Sequence, residues 1–208
     1  MSKGTIASIL FVLVLIVVGV GIVYRTQLIN LFAPKPAPVV VVPNEVLTGQ
    51  GFATSTYEVQ FPSGYTLNTD YAYDQFGPKK LIHGVSMTIA SEVATGTNLS
   101  ASDTGVRIEQ LPNAKRCTAD IFIPANVTAS SITEGGVDYS LATTSSAGAG
   151  NFYEETVYAL TTSNPCTAVR YFIHSANISN FPAGVVREFD RTALLAAFDG
   201  IRRSLQLK

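Results

Sequence analysis

Residues 152–174 read FYEETVYALTTSNPCTAVRYFIH and decide the fold, because they predict a β-hairpin. The runs 152–160 and 166–174 are both rich in β-branched and aromatic residues, the composition typical of strands. Pro165 and its polar neighbours separate the two runs, and such residues favour a turn. The sequence therefore predicts two antiparallel strands joined by a short loop.

The register of this hairpin determines what each face carries. With residues 163–165 as the loop, Thr162 lies opposite Cys166 and one face is apolar. The same register pairs Tyr158 with Arg170 on the other face, where the two form a cation–π contact. Aromatic residues and arginine are enriched at binding hot spots, so this second face is the candidate binding surface. Its candidate binding residues are Glu154, Tyr158, Arg170, Phe172 and His174. The alternative is that loops or the terminal helix cover this face.

Further strands are predicted on both sides of the hairpin. Residues 57–61 and 81–89 alternate between apolar and polar side chains, the pattern of a strand with one buried face. In the second of these runs His83 falls on the apolar positions, which favours a core histidine. Additional candidate strands are 106–110, 118–123 and 137–143, whereas 147–150 is predicted to be a loop.

A helix is predicted at the end of the chain. Asp190 fits an N-cap, and the apolar residues that follow it recur at helical spacing. These residues are Leu194, Leu195, Phe198, Ile201 and Leu205. Strands followed by a terminal helix indicate an α+β domain over residues 46–208, in which a mainly antiparallel β-sheet is packed by the C-terminal helix.

The N-terminal region predicts a membrane anchor. Residues 4–24 carry no charge and lie between Lys3 and Arg25. About 20 residues at about 1.5 Å each match the roughly 30 Å hydrocarbon core of a bilayer. We therefore expect a transmembrane helix over 4–25, preceded by a short cytoplasmic segment of residues 1–3. Charge alone does not fix its orientation, because the charges at its two ends nearly balance. The alternative is a signal peptide whose first candidate cleavage point follows Ala33.

A proline-rich linker and a pair of cysteines refine this prediction. Residues 26–45 contain alternating prolines, which favour an extended spacer between anchor and domain. Cys117 and Cys166 are the only cysteines, and an even number outside the cytosol suggests a disulfide. This pairing would place the domain on the extracytoplasmic side of the cell membrane. Two buried free cysteines are the alternative.

Composition and motifs exclude several functions. The chain has 14 Lys and Arg against 15 Asp and Glu without a basic cluster, so we expect no nucleic-acid partner. It lacks the common nucleotide-binding and hydrolase signatures, and it has no Cys/His cluster for a metal. We expect no cofactor, no metal and no assignable catalytic residue. A binding domain is therefore a simpler interpretation of the sequence than an enzyme.

Three stretches resemble small membrane-anchored bacterial extracytoplasmic proteins of unassigned function. They are residues 149–155 (AGNFYEE), 166–175 (CTAVRYFIHS) and 189–191 (FDR). The strand-rich domain closing on a helix also resembles, loosely, the PsbP and Mog1 type of sandwich. The resemblance implies a bacterial cell envelope as the setting and transfers no catalytic residue.

The expected function is therefore a single-pass membrane-anchored extracytoplasmic domain that binds a partner. The membrane is one partner through the N-terminal helix, and an envelope protein or glycan is the other. One alternative is a cell-envelope hydrolase that uses His174 or His83. Another is a structural envelope component.

Overall fold

The computed structural model describes residues 49–208. The predicted anchor over 4–25 and the linker over 26–45 lie outside the described residues. From residue 49 to the end of the chain, no helix is both long and apolar enough to span a bilayer.

The described residues form ten strands and two α-helices. In chain order they are β1 (Gly49–Ala53), β2 (Tyr57–Pro62), β3 (Thr66–Tyr73), β4 (Ile82–Thr88), α1 (Ser91–Ala94), β5 (Gly105–Leu111), a 3-10 helix (Ala119–Phe122), β6 (Ser130–Glu134), β7 (Val137–Gly148), β8 (Asn151–Leu160), β9 (Cys166–Ala176), a second 3-10 helix (Ile178–Asn180), α2 (Arg191–Ser204) and β10 (Gln206–Leu207).

The strands form two antiparallel sheets. The large sheet has seven strands in the order β3-β4-β5-β9-β8-β7-β6, and the small sheet has the order β1-β2-β10. Sheet and C-terminal helix together give an α+β fold, as the sequence predicts. The helix begins where expected, because the Asp190 side chain accepts a hydrogen bond from the backbone N–H of Ala193 at 2.9 Å.

One face of the large sheet is covered by α2 and β2. The helix presents Leu194, Phe198 and Ile201 to this core, and Phe198 packs edge-on against the ring of Tyr171 in β9. Arg202 on the same helix is 1% exposed, and its guanidinium lies 4.4 Å from the ring centre of Tyr158. This face is therefore closed to ligands over the centre of the sheet.

The opposite face is covered only in part. Residues 112–129, which connect β5 to β6, place Ala119, Phe122 and Ile123 against the small side chains of the central strands. The predicted disulfide is present in this layer, since Cys117 in the connection is bonded to Cys166 at the start of β9. Beyond this connection the remaining part of the face carries the aromatic and charged residues described below.

Three local predictions are wrong. Residues 118–123 are not a strand, because Ala119–Phe122 form a 3-10 helix. The predicted loop over 147–150 is shorter, since β7 continues to Gly148 and the turn is made by Ala149 and Gly150 at φ of 50° and 79°. His83 shares the apolar positions of its strand and yet is exposed, so it is not a core histidine.

The β8–β9 hairpin is confirmed, but its predicted register is wrong by one residue. The loop comprises residues 161–165. In the observed register Tyr158 pairs with Val169, and Val157 pairs with Arg170. Side chains alternate between the two faces of a sheet, and a slip of one residue exchanges the faces of one strand relative to the other. Tyr158 and Arg170 therefore lie on opposite faces, and the predicted contact between them does not form.

Candidate functional site

The uncovered part of the large sheet contains a concave site that we call the aromatic cleft. It is a depression of about 410 Å³ that crosses β3, β5, β9 and β8. Its rings and charged groups belong to Tyr71, Tyr73, Asp74, Arg107, Tyr153, Glu155 and Phe172. Aromatic side chains combined with a few polar groups in a concave site are typical of ligand sites.

Strand register brings these side chains together. Phe172 on β9 pairs with Glu155 on β8, and Arg170 pairs with Arg107 on β5, so all four residues share one face. Gly105 lies opposite Phe172 on the other side, which leaves no side chain between β5 and that ring. The arrangement depends on the pairing of the β8–β9 hairpin with β5, which is far from the hairpin in the sequence.

Beneath the cleft lies a buried charge network centred on Arg170. Its guanidinium forms two hydrogen bonds of 2.8 Å with the carboxylate of Glu109, and both side chains are 0% exposed. Arg170 also binds the Phe122 carbonyl oxygen at 2.7 Å and the carboxylate of Glu155. Burial disfavours its charge, but the hydrogen bonds and charges of the two glutamates outweigh this cost and raise the pKa of Arg170.

Two tyrosines connect this network to the cleft. The Tyr71 hydroxyl donates to Glu109 at 3.0 Å, and the Tyr73 hydroxyl donates to Glu155 at 3.2 Å. Burial, reinforced by the carboxylate that each hydroxyl meets, raises the pKa of both tyrosines well above the usual value. Both therefore stay protonated at neutral pH and act as hydrogen-bond donors. They hold the glutamates in place from the cleft side.

Arg107 is the half-buried counterpart of Arg170. Its guanidinium carbon lies 4.1 Å from the ring centre of Phe172 and 5.3 Å from that of Tyr71. Its one hydrogen bond to the described residues runs from Nη2 to the Asp103 carbonyl oxygen at 3.2 Å. Within residues 49–208 it has no acidic partner.

His174 and Asp103 form a pair at the edge of the cleft. The His174 Nδ1 atom is 2.8 Å from the Asp103 carboxylate, and the Tyr153 ring stacks on the imidazole at 4.5 Å. The Nε2 atom is buried and has no hydrogen-bond partner among the described residues. An aspartate also orients the histidine of a catalytic triad, but there Nε2 meets a nucleophile. This pair has no such group on Nε2.

The five predicted binding residues divide between the two faces. Arg170, Phe172 and His174 lie on the face of the aromatic cleft, whereas Glu154 and Tyr158 lie on the face beneath α2. Glu154 does not meet His174 and instead binds Arg191 of the helix at 2.7 Å. Coverage by the helix, the alternative given for the predicted face, is therefore correct for Glu154 and Tyr158.

Among the rings and charged groups that line the cleft, sequence reasoning identified only Phe172. Tyr71, Tyr73 and Arg107 were not candidates, although the alternating Tyr-Ala-Tyr of β3 is a strand signal. Tyr153 and Glu155 were assigned to the apolar face through the register error. The pairing of β5 with β9 could not be inferred from local patterns.

A second, larger depression of about 730 Å³ lies at the end of β7 and β8. It meets the aromatic cleft at Ser146 and Tyr153, which line both. Its polar groups include Asn98 and the Glu154–Arg191 ion pair. Among residues 49–208 there is no cluster of three or more His, Cys, Asp or Glu side chains that could hold a metal ion.

Comparison with known proteins gives no functional assignment. No family model matches the chain, and no curated protein matches it. One similar solved structure is a crystal structure from Bacteroides thetaiotaomicron VPI-5482, with 13% sequence identity and a TM-score of 0.41. The match covers 77% of this chain and 48% of that one, so the chain spans about half the length of that protein.

Proposed function

We propose that the protein is a single-pass membrane-anchored extracytoplasmic binding domain whose ligand site is the aromatic cleft. The observation that carries the proposal is the concave group of aromatic rings around Arg107, which has no acidic partner in the described residues. Arg107 lies opposite the like-charged Arg170, which is unfavourable for the fold, and an anionic ligand would offset this charge. Rigid strands hold the rings, as a preformed site requires.

The proposed location rests on the disulfide and on the N-terminal sequence. Disulfides persist in oxidising compartments and are rare in the cytosol, so the Cys117–Cys166 bond supports an extracytoplasmic domain. The uncharged run 4–24 supports an anchor in the cell membrane. The resemblance to small membrane-anchored bacterial proteins, and loosely to the PsbP and Mog1 sandwich, belongs to the same proposal.

A binding experiment on the full chain tests the site. The protein is solubilised in detergent micelles and screened by saturation-transfer NMR against soluble envelope glycans and peptidoglycan fragments. We expect at least one ligand, and we expect Phe172→Ala and Tyr153→Ala to abolish its signal. Phe152→Ala is the matched control, because this exposed ring lies on the opposite face of β8. Equal binding by all three variants would contradict the cleft as the site.

The hydrolase and structural alternatives have separate tests. A hydrolase that depends on the Asp103–His174 pair would lose its activity by orders of magnitude in His174→Gln. A binding domain would keep its ligand in that variant, since the imidazole lies at the edge of the cleft. A structural component that assembles with itself would show concentration-dependent sedimentation and no ligand in the screen.

A further inference from the structure

We infer that Arg107 anchors the carboxylate of a small ring-shaped ligand in the aromatic cleft. The inference rests on the proposed function and adds the chemical class of the ligand. It follows from the donors that Arg107 leaves unused, from the acids around it and from the shape of the cleft.

The guanidinium of Arg107 has donors to spare. Arginine carries five N–H groups in a rigid plane. Only Nη2 is hydrogen-bonded to the described residues, to the carbonyl oxygen of Asp103. Nε and Nη1 have no hydrogen-bond partner among these residues. Both are accessible to solvent, because neither belongs to the buried side-chain atoms that lack a partner. These nitrogens are therefore available to a ligand.

The described acids near Arg107 do not form an ion pair with it. Glu109 and Glu155 bind Arg170, and the Asp103 carboxylate binds His174. Asp74, which also lines the cleft, accepts a hydrogen bond from the Gln75 side-chain amide at 2.8 Å. Arg170 lies directly opposite Arg107 on the neighbouring strand, and like charges in this position destabilise a sheet. The network satisfies the charge of Arg170 but not that of Arg107. Packing against Phe172 needs only the aliphatic stem of a side chain, so packing alone does not explain why Arg107 places a second positive charge here.

The rings hold the guanidinium in a fixed position. Its distance of 4.1 Å from the Phe172 ring centre is within the range of a cation–π contact, and Tyr71 flanks it at 5.3 Å. A planar guanidinium held in this way matches the two oxygens of a carboxylate, which it binds through two parallel hydrogen bonds. Less side-chain freedom is lost when the anion binds, which favours binding.

The remainder of the cleft favours a ring that carries one negative charge. Its volume of about 410 Å³ suits a small molecule, and the rings of Tyr153 and Phe172 offer apolar surface. The Glu155 side chain is 15% exposed and can accept a hydrogen bond from a hydroxyl. Glu155 and Asp74 repel a doubly charged phosphate more strongly than a singly charged carboxylate. The cleft lies on the face of the sheet and presents side chains to a ligand. Uronic sugars and aromatic acids share the required chemistry.

The test compares acids with their neutral analogues. The full chain in detergent micelles is titrated with galacturonate and galactose, with benzoate and benzamide, and with inorganic phosphate. Binding is followed through the Nε–H NMR signal of Arg107, assigned by its loss in Arg107→Gln. We expect at least one acid to bind at least tenfold more tightly than its neutral analogue, as a charge-assisted hydrogen-bonded pair implies. Galacturonate and benzoate distinguish a sugar acid from an aromatic acid.

Variants connect this binding to the residue. Arg107→Gln should weaken the preferred acid at least tenfold, whereas Arg116→Gln, which alters an exposed arginine outside the cleft, should leave it unchanged. An unchanged circular dichroism spectrum shows that both variants are folded.

Three outcomes would overturn the inference. If an acid and its neutral analogue bind equally well and both depend on Phe172, the carboxylate of the ligand has no role in binding, although the cleft is still a binding site. If phosphate binds more tightly than either acid, the cleft recognises an anion other than a carboxylate. If neither acid binds at concentrations up to about 10 mM, the free energy of binding is too small for a specific contact. This result would refute the anchoring role of Arg107. The proposed function fails separately, only if the envelope-ligand screen is also negative.

Discussion

Arg170→Met is predicted to destabilise the domain by about 3–5 kcal/mol, the cost of removing one partner from a buried ion pair. Methionine keeps the aliphatic part of the side chain but removes the guanidinium, whose carbon lies 3.8 Å from the Tyr73 ring centre. The substitution removes both 2.8 Å bonds to Glu109 and the bond to the Phe122 carbonyl oxygen. The Glu109 carboxylate, which is 0% exposed, then keeps only the Tyr71 hydroxyl as a partner.

A double-mutant cycle isolates the pair. Glu109→Gln, Arg170→Met and the double variant are unfolded in urea and followed by far-ultraviolet circular dichroism. Because the double variant leaves no unpaired buried charge at these two positions, its loss should be smaller than the sum of the single losses by about 2 kcal/mol or more. Arg203→Met is the matched control at an exposed ion pair, where the expected loss is below about 1 kcal/mol.

The reasoning has a clear refutation. A loss below about 1 kcal/mol for Arg170→Met, with an unchanged dependence on urea, would show that the network does not stabilise the fold. Additive single losses would show that Arg170 and Glu109 act independently.

Three further predictions concern other parts of the fold. Replacing Cys117 and Cys166 together by serine should lower the free energy of unfolding by about 4 kcal/mol, from the chain-entropy cost of a loop with a separation of 49 residues, and urea unfolding with and without reductant measures it. Asp190→Ala should cost about 1 kcal/mol because the first turn of α2 loses its cap, while Asp190→Asn should retain most of it in thermal unfolding. Burial raises the pKa of Tyr57 and Tyr65 from 10.0 to about 12, so their contribution to stability is complete below pH 10 and is lost as pH rises towards about 12. The urea midpoint should fall over this window together with the rise of tyrosinate absorbance, and Tyr65→Phe should reduce the fall; a flat midpoint would contradict the burial argument.

Local patterns predicted the elements whose physics is local. The alternation in β2 and the helical spacing after Asp190 identified those elements, because each has one buried face and one exposed face. The alternation in β4 also identified a strand, although consecutive residues of that strand are buried on both faces. The prediction of a strand over residues 118–123 was wrong for the opposite reason. This segment alternates like a strand, but its apolar side chains pack onto the sheet from a crossing connection and not within it.

The candidate site was predicted only in part. Phe172, Arg170 and His174 were selected for their residue types, and they do lie on one face. Tyr71, Tyr73 and Arg107 complete the cleft from strands that are distant in the sequence, where no short-range signal connects them. The slip of one residue in the β8–β9 register also exchanged Glu154 for Glu155 on the face of Arg170, since side chains alternate with a period of two.

The sequence by itself determined the α+β class, the β8–β9 hairpin, the capped terminal helix and the Cys117–Cys166 disulfide, because composition and periodicity act over a few residues. Only the tertiary structure decided which charges are buried. Arg170 and Arg107 have similar local surroundings in the sequence, yet strand pairing surrounds the first with two glutamates and leaves the second among aromatic rings. Burial and charge pairing depend on residues brought together from distant strands, and the candidate function rests on that difference.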